Sequence, residues 1–157
     1  MKKWIFFSII LFCAFLQTGF TGFFRIFGAS ADLLLICLVA ASFFFKQKTA
    51  VFFGFLCGIL KDLLDIQVFG IHTLLFTVVS VLLTKLSRKL SVENSYLAAV
   101  IVFLSSILYG ILARFVFSYI DNIIPLGVFW RISILQALYT ACVFYFIFRF
   151  FKRLIQI

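Results

Sequence analysis

Apolar residues run through this chain in blocks, and most of its charges fall between the blocks or at their ends. Residues 4–24 are an almost unbroken apolar run preceded by Lys2 and Lys3, and 95–113 and 126–148 are two more runs of spanning length, separated by Asp121, Asn122 and Pro125, which turn the chain. A helix rising about 1.5 Å per residue needs roughly 20 such residues to cross a hydrocarbon core of about 30 Å. These runs predict helices one, five and six. Three shorter runs, 33–45, 49–60 and 71–84, fall below that length. Each crosses by drawing polar residues in at its outer end: Asp32, then the segment from Lys61 to Asp65, then His72, helped by snorkelling lysines and bundle packing. A re-entrant hairpin in this middle region is the competing arrangement. The prediction is an all-α fold: one polytopic membrane helical bundle over residues 1–157, with six transmembrane helices at about 4–24, 29–45, 49–66, 69–84, 95–118 and 126–148.

Composition strengthens this reading. The 157 residues are 66% hydrophobic and 12% charged, against roughly 45–50% apolar content in soluble domains. That leaves too little polar surface to cover a water-soluble core of this size. With one proline and no long polar or glycine-rich stretch, nothing marks a linker or a second domain. Cys13, Cys37, Cys57 and Cys142 lie inside apolar runs without metal-like spacing, which suits small packing residues.

Basic residues set the orientation, because cytoplasmic loops retain lysine and arginine. With six crossings and both termini cytoplasmic, Lys2, Lys3, Lys46, Lys48, Lys85, Arg88, Lys89, Arg149, Lys152 and Arg153 all lie inside. Set against Glu93 alone, these ten residues place the whole net charge of +9 on that side. Arg25, Lys61, Arg114 and Arg131 balance Asp32, Asp62, Asp65 and Asp121 in the outer half. Ala29-Ser30-Ala31 offers a signal-peptidase pattern, but the preceding apolar run is long and Arg25 intervenes. Short basic loops beside spans account for the positive charge without a nucleic-acid surface, through anionic lipid headgroups.

Charges within a membrane domain are costly and usually face the bundle interior in pairs. Asp62 and Asp65 share a helix face, Lys61 reaches Asp65 at i,i+4, and Arg114 and Arg131 on helices five and six are expected to pair with the acids across the bundle. The cluster is open to three readings: ion pairs that hold short helices together, a docking surface, or a ligand pocket. A catalytic carboxylate pair fits less well, since no nucleophile or metal-ligand set accompanies it. The single histidine, His72, is too little for a metal site and suits a hydrogen-bonded helix end. No cofactor is expected. Gly54, Gly58 and Asp62 recur every four residues, and Gly54-x-x-x-Gly58 is a spacing that lets two backbones approach closely. The face carrying these three residues is expected to be buried.

Three segments resemble the rod shape-determining protein MreD family: residues 31–36, Ala-Asp-Leu-Leu-Leu-Ile; residues 54–62, Gly-Phe-Leu-Cys-Gly-Ile-Leu-Lys-Asp; and Gly70-Ile71-His72, followed by an apolar helix ending Lys85-Leu86-Ser87-Arg88-Lys89. The family pattern has a Pro-Asp before leucines, a glycine-bearing helix ending G-L-x-x-D, and a G-x-H/Y step; Ala31 stands here in place of the proline. The resemblance implies a non-enzymatic scaffold in the bacterial inner membrane. It would bind MreC and work with MreB and the RodA–penicillin-binding-protein synthase in lateral peptidoglycan growth. It also singles out Asp32, Gly54, Gly58, Asp62, Gly70 and His72 as helix-packing or partner-binding positions, beside Asp65, Arg114 and Arg131 from the charge pattern. A second class of similar size and helix number, the substrate-binding component of an energy-coupling-factor vitamin transporter, is the alternative.

Overall fold

The computed structural model describes residues 3–20, 31–64, 70–89, 95–117 and 126–155. Within them are six α-helices and no strand: α1 Lys3–Phe20, α2 Leu33–Phe44, α3 Gln47–Leu64, α4 Ile71–Lys89, α5 Ser95–Phe117 and α6 Leu126–Ile155. Each coincides with one of the apolar blocks, but the limits differ. α4 continues past Thr84 to Lys89 and α6 continues to Ile155, because Lys, Arg and Leu are good helix formers and nothing breaks the helix where the apolar run stops. α2 starts at Leu33, with the apolar run itself, and later than the predicted helix limit near residue 29. Asp32 has extended backbone (φ −92°, ψ 91°) and its side chain caps Leu35 N–H, the arrangement of an N-cap. Residues 21–30, which hold the expected end of the first helix and the first two residues of the signal-peptidase pattern, lie outside the described residues.

α2 is the axis of the bundle. Its sequence, LLLICLVAASFF, has no polar face; Leu34 to Val39, Ala41 and Ser42 are buried, and the helix touches all five others. A helix that is apolar all round has to be enclosed. Enclosure also relaxes the length requirement. Its 12 residues make only about 18 Å, and the non-helical backbone at Asp32 is tolerated because it is buried in protein rather than exposed to lipid. Cys37 and Cys57 lie in this core, Cys13 is half-buried, and Cys142 is exposed on α6.

Around α2, α1 lays Phe6, Ile10 and Ala14 inward at i, i+4 and i+8. α3 packs chiefly on α4, α5 on α6, and α4 joins the two pairs. Alternating helix directions bring the start of α1, the α2–α3 turn and the ends of α4 and α6 to one end of the bundle. There Phe6 meets Phe45 and Phe53 with ring centroids 5.1 and 4.9 Å apart. Ser87 Oγ donates to the Ser42 carbonyl at 3.1 Å, and Phe44 lies 6.3 Å from Phe148.

The outside is as apolar as the core. Trp4, Phe15, Leu74, Tyr96, Phe115 and Phe146 are all largely exposed, a surface suited to lipid and a liability in water. Among the described residues, two helices hold segments long and apolar enough to cross a membrane, Tyr96–Val116 with 21 residues and Gly127–Arg149 with 23.

Candidate functional site: a buried polar network at one end of the bundle

Opposite the aromatic end, polar side chains from all six helices meet inside the protein. The network begins at the head of α2, whose first amides need acceptors. Asp32 Oδ1 accepts from Leu35 N–H at 3.2 Å, and Gln17 of α1 accepts from Leu34 N–H through Oε1 at 3.2 Å while donating through Nε2 to Asp32 Oδ1 at 3.4 Å. The amide of Asp32 itself donates to Thr140 Oγ1 of α6 at 3.2 Å, and Thr140 donates in turn to the Gln136 carbonyl at 2.7 Å. The start of a helix sunk in the bundle is thus satisfied from both flanking helices.

The second oxygen of Asp32 forms an ion pair with Lys61 of α3. The ammonium also lies 4.5 Å from the centroid of the Tyr109 ring and 5.0 Å from that of Phe76, so a carboxylate and two aromatic faces replace its lost hydration. Asp65, the partner expected for Lys61 one turn along its own helix, lies outside the described residues. Lys61 reaches a neighbouring helix because the α3 face it occupies turns toward α2 and α5.

Asp62, the next residue, does the work of a cap for a different helix. Its carboxylate accepts from the main-chain N–H groups of His72 at 3.0 Å and Thr73 at 2.9 Å, and from the Thr73 hydroxyl. These are first-turn amides of α4, where orphan donors and the helix dipole together present about half a positive charge. The expected pairing of Asp62 with Arg114 or Arg131 is corrected here: α4, not α5 or α6, is the helix packed on α3, and its amides occupy both carboxylate oxygens. Arg114 lies over the Phe129 ring at 4.6 Å, and Arg131 is on an exposed face of α6.

The close α3–α4 approach that allows this rests on Gly54 and Gly58, both buried. A β-carbon on Gly58 would run into the Thr73 backbone and come within 3.0 Å of the His72 carbonyl; one on Gly54 would come within 2.6 Å of Ser80 Cβ. Gly70 opens α4 with φ of +97°, a conformation glycine adopts without penalty. His72 is buried, and its Nδ1 lies 2.6 Å from the Tyr109 hydroxyl of α5.

The structure therefore gathers Asp32, Gly58, Asp62, Gly70 and His72 around the head of α4 and the head of α2, with Gly54 two turns further along α3. Arg114 has its described contact elsewhere. Reasoning from charge missed Gln17, Thr73, Tyr109 and Thr140. Gln17 and Thr140 are polar residues inside long apolar runs, and that placement is the signal that would have found them. Among the described residues no group of three His, Cys, Asp or Glu side chains comes together to hold a metal ion. The arrangement neutralises buried charge and fixes the relative register of six helices.

These features define a small helical membrane protein with a polar centre buried at one end of its bundle. A family model for the rod shape-determining protein MreD matches residues 1–155, and the chain belongs to that family. No curated protein and no solved structure matches it.

Proposed function

We propose that this protein is a non-catalytic scaffold of the bacterial elongation machinery. In this reading it crosses the inner membrane six times with both termini in the cytoplasm, binds MreC, and works with MreB and the RodA–penicillin-binding-protein synthase to direct lateral peptidoglycan growth. The observation that carries the reading is the family match over residues 1–155, which covers all six helices and favours a shape determinant over the vitamin-transporter component. The polar network supports it from the physical side. A scaffold has to present a partner with helices in fixed register, and buried ion pairs and capped helix ends resist sliding because every displacement leaves a polar group unpaired.

Depletion in a rod-shaped host is expected to give rounded cells, and the tagged protein is expected to co-purify MreC from native membranes. Normal cell shape together with an auxotrophy cured by a vitamin would replace this reading with the transporter component.

A further inference from the structure

We propose that the groove between the N-terminal ends of α1 and α3 binds an anionic phospholipid. The groove has a volume of about 530 Å³ and is lined by Lys3, Trp4 and Phe7 of α1 and by Lys48, Thr49, Phe52 and Phe53 of α3. That volume falls within the roughly 300–1,000 Å³ of small-molecule sites. Its chemistry is layered. Lys3 and Phe7 are four residues apart, as are Lys48 and Phe52, so each helix sets a cation at its end and an aromatic ring one turn further in. Phe53, 3% exposed, closes the floor, while Trp4, 84% exposed, stands at the rim.

Two ammonium groups above a bed of aromatic rings match a phosphodiester above acyl chains, and no acidic residue is among the described residues lining the groove. A free phosphate would use only the lysines and leave the aromatic bed uncovered. A zwitterionic lipid would cover the rings, but its own cation would oppose the lysines. Basic pockets between helices near a membrane surface suit anionic headgroups for this reason.

The inference rests on the membrane-embedded reading of α1 and α3, and not on which side of the membrane their ends face. The test uses the full chain reconstituted in vesicles. The chain has two tryptophans, so Trp130→Phe leaves Trp4 as the only indole and a reporter at the rim of the groove. Phosphatidylglycerol or phosphatidylcholine brominated near the headgroup is added at low mole fraction to unlabelled phosphatidylcholine, and quenching of Trp4 is measured. Brominated phosphatidylglycerol is expected to quench about thirtyfold more effectively per mole, the scale on which two basic residues favour an anionic lipid. Lys3→Gln with Lys48→Gln should bring that ratio close to one, and Lys85→Gln, which removes an exposed lysine outside the groove, should leave it unchanged. Equal quenching by the two lipids overturns the site. So does a loss of preference in Lys85→Gln as large as in the double variant, because the preference then belongs to diffuse surface charge. Quenching by neither lipid would place Trp4 outside the bilayer and overturn the membrane reading together with the site.

Discussion

Lys61 of α3 forms an ion pair with Asp32, the residue that caps α2. One carboxylate therefore holds both the beginning of the central helix and the charge of its neighbour. Replacing either partner alone leaves the other buried without a counter-charge, which costs about 3–5 kcal/mol. Lys61→Met or Asp32→Leu is expected to lower the thermal stability of the detergent-purified protein by more than ten degrees or to deplete it from membranes. The Lys61→Met and Asp32→Asn double variant, which keeps a cap oxygen and removes both charges, should lose less than the Lys61→Met and Asp32→Asn single variants added together. Strict additivity of the two in a thermal-shift cycle would mean that the pair is not coupled.

Asp62 stabilises α4 through main-chain amides, so its substitutions should separate by hydrogen-bonding capacity. Asp62→Leu leaves first-turn donors of α4 unsatisfied inside the protein, at about 1–3 kcal/mol for each. Its membrane abundance is expected to fall severalfold, while Asp62→Asn, which retains one acceptor oxygen, keeps an intermediate level. Arg114→Leu should leave abundance near wild type, since its guanidinium meets the Phe129 ring. An Arg114→Leu defect equal to that of Asp62→Leu would show that the two side chains act as a pair.

Gly54 and Gly58 make similar statements in sequence, but their neighbours predict different outcomes. Gly54→Ala meets a side chain, Ser80 Cβ at 2.6 Å, and Ser80→Gly removes that atom and should restore most of the lost stability. Gly58→Ala meets the Thr73 backbone, which no side-chain change can withdraw. Overpacking of this kind costs about 1–3 kcal/mol. Thermal unfolding of the four variants in detergent checks this, and rescue of Gly58→Ala by truncating Thr73 would contradict the backbone clash.

The six-crossing reading predicts that reporters fused at Lys2, Gln47, Arg88 and Gln156 are cytoplasmic and that those at Gly28, Val68 and Ile123 are external. Val68 is the decisive position. A cytoplasmic signal there would mean that the second and third apolar blocks do not both cross, which would leave the re-entrant arrangement.

What the sequence alone determined is the set of helices and the kind of solvent around them. Apolar blocks long enough to span, or nearly so, located all six elements, because hydropathy is a local property that survives without knowledge of neighbours. The four-residue recurrence of Gly54, Gly58 and Asp62 likewise put them on one face, since helix periodicity depends only on spacing. Only the tertiary structure decided which helix that face meets. Asp62 has no arginine as its described partner but the first turn of α4, and main-chain amides at a helix start are acceptor-seeking groups that no side-chain charge pattern reveals. Nor could composition show that α2, the shortest helix, is the axis. Its uniform apolarity signals enclosure, but the identity of the enclosing helices, and the use of Gln17 and Thr140 to satisfy its buried start, depend on residues 15 and 108 positions away from Asp32. Contacts of that range arise from packing, where the burial of every polar group has to be answered by whichever helix happens to lie beside it.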